Sequence, residues 1–182
     1  MMIAREQYVP GPPNAQVQKD GDKWTLVLVR EMRHSPDKVW QALTDPAQLH
    51  EWAPFDADGN LGRAGNTVKL TTVGAPSPHI TDAKVTRADV PKLLEYNWGD
   101  FNMRWQLEPL GAGTRLTLWT NIDRRFISMG AAGWHIALDV LDHLLGGSPI
   151  GRIVGPDAAK FEGWQRLNKE YAKEFGIASP KW

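Results

Sequence analysis

The run Trp24-Thr25-Leu26-Val27-Leu28-Val29-Arg30-Glu31-Met32, followed at once by His34-Ser35-Pro36-Asp37-Lys38-Val39-Trp40-Gln41-Ala42-Leu43-Thr44-Asp45-Pro46, decides how the chain is read. Its first half is a hydrophobic strand, Trp24 to Arg33. Ser35 then stands where a helix N-cap belongs. Pro36 follows at the first helical position, where its missing N–H is no loss, and Asp37 meets the positive end of the helix dipole. Pro46 stops the helix, so the spacing predicts a helix over residues 35–45. Leu49 to Trp52 can add another helical turn.

Beyond this point the chemistry alternates between turns and strands. Pro54 to Asn66 is rich in Gly, Asp and Asn and reads as loop. Strand-like runs follow at Thr67 to Val73, Ile80 to Ala88, Leu93 to Trp98, Phe101 to Leu107 and Thr114 to Asn121. Turn signals separate them at Gly74 to Pro78, Asp89 to Pro91, Gly99-Asp100 and Pro109 to Gly113. Such short connections predict an antiparallel meander. Phe101, Met103, Trp105 and Leu107 share one parity, as do Leu94, Tyr96 and Trp98, and Leu116 and Leu118, so one face of the sheet is expected to be buried. Trp119 has the opposite parity. It is expected on the outer face, covered by residues 5–13 of the proline-bearing N-terminal arm.

After Asp123 the period changes to about 3.6 residues. Trp134, Ala137, Leu138, Leu141, Leu144 and Leu145 cluster on one arc of a helix, opposite a polar arc of His135, Asp139, Asp142 and His143 that is expected to face water. Gly146-Gly147-Ser148-Pro149 ends this helix. A second one, from about Ala158 to Phe175, carries Phe161, Trp164, Leu167, Tyr171 and Phe175, with Gly176 as its stop.

The bulk properties exclude several function classes. Among 182 residues, 21 lysines and arginines balance 21 aspartates and glutamates, so no basic field favours nucleic acid. No apolar run approaches the roughly 18 residues of a membrane span, and no signal-peptide pattern opens the chain, so a soluble, cytoplasmic protein is expected. With no cysteine, disulfides, thiol nucleophiles and cysteine-based zinc sites are excluded. The nine tryptophans are the compositional oddity: they fill a core or line a cavity.

Several apparent motifs dissolve on inspection. Asp56-Ala57-Asp58-Gly59-Asn60 imitates the start of a calcium loop, but Leu61 stands where glycine is needed and Thr67 where the bidentate glutamate belongs. Gly59, Gly62 and Gly65 precede a strand and read as turn residues, not a dinucleotide fingerprint. His135, Asp139 and His143 have a metal-compatible spacing, yet the amphipathic wheel already accounts for them. No metal, no cofactor and no catalytic residue is assigned. The polar side chains most worth following into a cavity are Tyr96, Asn121, Asp123 and His135.

In this order, Pro36-Asp37-Lys38-Val39-Trp40, Thr44-Asp45-Pro46, Trp52, Gly113-Thr114-Arg115-Leu116-Thr117, and Gly133-Trp134 with Leu138, Leu141 and Leu145 resemble the START-like (SRPBCC) helix-grip superfamily. Within it, the chain looks most like the family of the activator of heat shock protein 90 ATPase, a stress-response co-chaperone. The resemblance spans about residues 24–145 and implies an α+β helix-grip (START-like, Bet v 1-like) fold, an antiparallel curved sheet wrapped around a long C-terminal helix. The expected organisation is an irregular arm over 1–22 and one START-like domain over 23–176, with 146–176 as a C-terminal helical extension.

The implied function is binding of a small, largely apolar ligand, a lipid among the candidates, between sheet and helix. The expected lining is Trp98, Met103, Trp105, Leu118, Trp134, Leu138 and Leu141, with Trp52 and Phe55 near the mouth. A co-chaperone-like protein-binding module, or a cyclase, dehydratase or hydrolase acting on an apolar substrate, are the alternatives, since one fold hosts many chemistries. A chaperone or a second copy of the chain are the protein partners left open.

Overall fold

The strand-to-helix switch occurs where the sequence places it. In the computed structural model, which describes residues 5–75, 77 and 79–179, Ser35 is extended and its hydroxyl accepts the backbone N–H of Lys38 at 3.3 Å. Helix α1 (Pro36–Thr44) follows, and Asp45 both closes it and caps α2 (Pro46–Trp52), its carboxylate accepting the N–H of Ala47 at 3.1 Å. The indole of Trp52 ties the pair together by donating to the carbonyl of Ala42 at 2.9 Å.

The strands are β1 (Gln16–Asp20), β2 (Lys23–Met32), β3 (Phe55–Ala57), β4 (Thr67–Thr72), β5 (Ile80–Asp89), β6 (Leu93–Trp98), β7 (Phe101–Leu110) and β8 (Gly113–Asn121). They form one antiparallel eight-stranded sheet in the order β1-β2-β8-β7-β6-β5-β4-β3. A register shift between Val85 and Arg87 bends β5, as a bulge does, and the sheet curves around α3 (Ile127–Leu145) in the helix-grip arrangement. The chain then forms α4 (Pro156–Lys160) and α5 (Glu162–Phe175), which packs on α3.

The Gly113-Thr114 pair has a local reason. A Cβ on Gly113 would collide with the carbonyl oxygen of Met32, so only glycine lets β8 begin against the end of β2. The next hydroxyl, on buried Thr114, donates to the carbonyl of His34 at 2.7 Å and satisfies the turn into α1.

Four expectations are corrected. First, the arm is not irregular throughout. Gln16–Asp20 pairs with β2 as an edge strand, which its polar side chains did not advertise because backbone hydrogen bonds hold it. Residues 1–4 of the arm, and Pro76 and Pro78 of the β4–β5 turn, lie outside the described residues.

Second, the polar arc of α3 faces water fully only at Asp142; Asp139 and His143 are half-buried and His135 is buried. His135 is only 4% exposed, because α5 and residues 5–14 lie over it. The Tyr8 hydroxyl donates to Asp139 at 2.5 Å, its ring stacks on Phe161 at 5.9 Å, and Arg166 donates to the carbonyl of Pro10.

Third, and for the same reason, the arm does not cover Trp119. That indole is half-buried beneath Arg104, its cross-strand partner, whose guanidinium sits 4.9 Å from the ring and pairs with Glu95 at 3.4 Å. Cover came from the neighbouring strand, a direction that parity along one strand cannot show. Fourth, the expected Ala158–Phe175 helix is broken: Phe161 is extended between α4 and α5 as its ring turns onto Tyr8.

Candidate functional site: an apolar cavity at the end of the grip

Between α3 and the sheet the interior is filled largely by aromatic rings meeting edge to face. Trp52 meets Trp105 at 6.1 Å, Trp105 meets Trp134 at 5.7 Å, and Trp134 meets Trp98 at 6.3 Å. The row ends at Phe101, 5.7 Å from Trp98, and Phe55 lies against Trp98 at 5.1 Å. Tyr96 is buried within this packing, its oxygen accepting the indole N–H of Trp105 at 3.2 Å, and burial raises its pKa.

Beyond Trp98 and Trp134 the packing stops and a cavity of about 350 Å³ opens. The β6–β7 hairpin supplies Trp98 and Phe101, and the end of β8 supplies Thr120 and then Ile122. The first half of α3 supplies Met129, Gly130, Gly133 and Trp134. Its remaining walls come from Pro54, Phe126, the strap Ile153-Val154-Gly155 with Ala158, and Trp164 of α5. Thr120 contributes the one hydroxyl among these side chains. Gly133 leaves the space open: a Cβ there would have nothing closer than the Trp164 indole nitrogen at 4.0 Å.

The strap is pinned at both ends. Arg152 donates to Asp56 at 2.7 Å, and His50 reaches the same carboxylate at 2.9 Å. These partners, the Arg152 hydrogen bond foremost, hold the Asp56 carboxyl below its usual range. Three residues on, Gly155 adopts φ 59° and ψ −136°, and a Cβ added there would lie 2.9 Å from the carbonyl oxygen of Val73. The other polar residues of the false calcium loop are likewise engaged: Asp58 accepts the N–H of Lys69 and Asn60 that of Gly62.

Of the nine expected lining residues, Trp98 and Trp134 reach the cavity wall. Trp52, Phe55, Met103, Trp105, Leu118, Leu138 and Leu141 lie deeper in the hydrophobic core, because the large indoles close the space around them. Sequence reading missed most of the actual wall. The strap and α5 come from the extension, whose path no periodicity reveals. Gly133, a glycine inside a helix, was the available signal of empty space; Gly130, one turn earlier, instead makes room for the Ile122 side chain.

The polar candidates fall elsewhere. His135 receives the Tyr171 hydroxyl at 2.7 Å on Nδ1, and its Nε2 lies 3.7 Å from Asp139. Burial, reinforced by the positive charges of Arg30 and Arg166, lowers its pKa to about 4. Asp123 is exposed and bound by the Arg125 side chain and backbone, which lower its pKa to about 2. Asn121 bridges the β7 and β8 ends, accepting the N–H of Asn102 and donating to the carbonyl of Asp100. Among the described residues no group of three or more His, Cys, Asp or Glu is placed to hold a metal ion, and no helix is long and apolar enough to cross a membrane.

The sheet, the gripped helix and the cavity at their junction define a START-like (SRPBCC) protein. Residues 23–144 match the family described as polyketide cyclase/dehydrase and lipid transport, and the chain belongs to that family. Among solved structures, a conserved protein of unknown function, EF2215 from Enterococcus faecalis, is similar with a TM-score of 0.65 and 19% identity, over 90% of this chain and 92% of that one. CalU16 from Micromonospora echinospora gives 0.63 and 20%, over 89% and 94%. Protein MLL2253 from Mesorhizobium loti gives 0.58 and 24%, over 68% and 98%. At these identities the likeness is one of fold. No curated protein matches the chain.

Proposed function

We propose that the protein reversibly binds a small, largely apolar molecule in the cavity bounded by Trp98, Trp134, Gly133 and the 153–155 strap. The observation that carries this reading is the cavity itself: about 350 Å³ of space walled almost wholly by aromatic and aliphatic side chains, at the point where the aromatic packing ends. Pockets for small ligands are of this size and character, with few polar groups to orient the guest. The family's description, which includes lipid transport, supports the same class of ligand.

Catalysis, also named in that description, draws less support from the geometry. Tyr96 and His135 are engaged away from the cavity, leaving Thr120 as its hydroxyl.

A thermal-shift screen of apolar compounds, followed by tryptophan fluorescence titration, tests the proposal. Ligands that bind the folded state raise the melting temperature by mass action. At least one should do so saturably while perturbing the emission of Trp98 and Trp134. A broad screen producing no saturable ligand would refute the reading.

A further inference from the structure

The apolar cavity carries a polar point on its inner wall. Along the inner face of β8, Leu118 is packed in the core, Thr120 follows in the same parity, and Ile122 lines the cavity just beyond the strand. Thr120 thus stands where close packing gives way to space. It is only 2% exposed, and its main chain is paired on both sides, with Leu26 of β2 and Met103 of β7. The side-chain hydroxyl is what remains to be satisfied.

Other buried threonines use theirs internally: Thr44 donates to the carbonyl of Trp40 at 2.8 Å and Thr114 to that of His34 at 2.7 Å. Thr120 makes no such bond to any described residue. The polar side-chain atoms sealed without a partner among the described residues are Arg30 Nη2, Thr81 Oγ1 and Glu170 Oε2; Thr120 is not one of them, so its unpaired oxygen meets the cavity. No side chain of the cavity wall among the described residues is charged. At the rim, Phe101 and Phe126 are 38% and 48% exposed, and the Arg125 guanidinium over Phe126 is already bound to Asp123 at 3.0 Å. Polarity therefore runs opposite to that of a site for a charged amphiphile, whose head stays near water: the rim is aromatic and the hydroxyl lies inside.

We infer that Thr120 is the specificity-determining contact and that the ligand is a neutral molecule with a hydroxyl or carbonyl oxygen, bound with that end inward against Thr120 and its apolar body toward Phe101 and Phe126. This rests on the reading that the apolar cavity binds a ligand, and it narrows the ligand class. A hydroxyl both donates and accepts, so Thr120 suits either oxygen. A carboxylate or ammonium brought to the same place would leave water with no counter-charge in the wall and is rejected.

Calorimetric titration of the full chain at neutral pH with four probes that share one ring system tests this: naphthalene, 2-naphthol, 2-naphthoate and 2-naphthylmethylamine, the last two ionised. Wild type should bind 2-naphthol about three- to tenfold tighter than naphthalene, the effect of one neutral hydrogen bond to a group otherwise unpaired. Both ions should bind at least about tenfold more weakly than 2-naphthol. Thr120→Val keeps the side-chain shape and removes the hydroxyl, so its melting temperature should be unchanged or higher, naphthalene should still bind, and the advantage of 2-naphthol should vanish. Thr120→Ser should retain that advantage. Naphthalene bound by wild type with no preference for 2-naphthol, a preference that survives in Thr120→Val, or an ion bound as tightly as 2-naphthol would each overturn the Thr120 contact while the apolar reading stands. If none of the four binds, the inference falls, and the broad screen of apolar compounds decides whether the cavity reading falls with it.

Discussion

His135 shows how one side chain's environment converts into a measurable property. The backbone N–H of Asn14 donates to the Tyr171 hydroxyl at 2.9 Å, which frees the phenolic proton for His135 Nδ1 and leaves Nε2–H facing Asp139. This neutral arrangement explains why burial can hold the pKa at about 4 from an ordinary 6.5. The sign follows directly. Below pH 6.5 the unfolded chain takes up a proton that folded His135 refuses until about pH 4, so stability should fall as pH drops across that window. Asp139 acts oppositely, since burial raises its pKa and the folded state is favoured as its carboxyl protonates. Urea denaturation at pH 6.5 and 4.5 should show His135→Gln losing about 1–3 kcal/mol less stability than wild type over this interval. An identical loss in both would place the titration elsewhere.

At the scale of elements, the N-terminal arm and the strap decide how the gripped helix is enclosed. Tyr8 anchors the arm through Asp139 and Phe161. Tyr8→Phe keeps the stacking but leaves a half-buried carboxylate without its donor, a change worth about 1–2 kcal/mol. Limited proteolysis should then cut within residues 5–14 faster than in wild type, with no change in Trp119 emission, because Arg104 and not the arm lies over that ring. The strap depends on Gly155, whose backbone conformation and contact with Val73 both exclude a Cβ. Gly155→Ala should cost about 1–3 kcal/mol and loosen the cavity wall, read as a lower melting temperature together with weaker apolar ligand binding.

These same elements mark where the sequence was readable and where it was not. Ser35-Pro36 and Asp45-Pro46 determine local geometry through their own side chains, and β6 spans Leu93–Trp98 as its parity indicated. The helix α3 was recognised as well, but its surroundings were not. A polar arc at helical spacing looks solvated unless it is known that Tyr8, more than a hundred residues away, will donate to it. Trp98, Met103, Trp105 and Leu118 are inward by strand parity and Trp134, Leu138 and Leu141 by the apolar arc of a helix, signals that identify what faces the core but not where the core stops. That boundary depends on the volumes of Trp52, Trp105 and Trp134 in three dimensions and on a strap contributed by the C-terminal extension.

For the molecule as a whole, the proposed binding site is the cavity where α3, the sheet, the strap and α5 meet. Gly133 offers the most direct test, because it sits in a helix at the cavity wall, where a Cβ would meet only the Trp164 indole nitrogen, at 4.0 Å. Replacing it with leucine removes a helix-weakening glycine, a gain of roughly 0.5–1 kcal/mol, and buries the new side chain in the cavity. Stability and binding should therefore move in opposite directions. The decisive measurement is a titration of wild type and Gly133→Leu with the apolar fluorophore N-phenylnaphthylamine, alongside their melting temperatures. The proposed site predicts saturable binding by wild type, at least about tenfold weaker binding by the variant, and an unchanged or higher melting temperature in the variant. Equal binding by both proteins, or none by wild type, would contradict it.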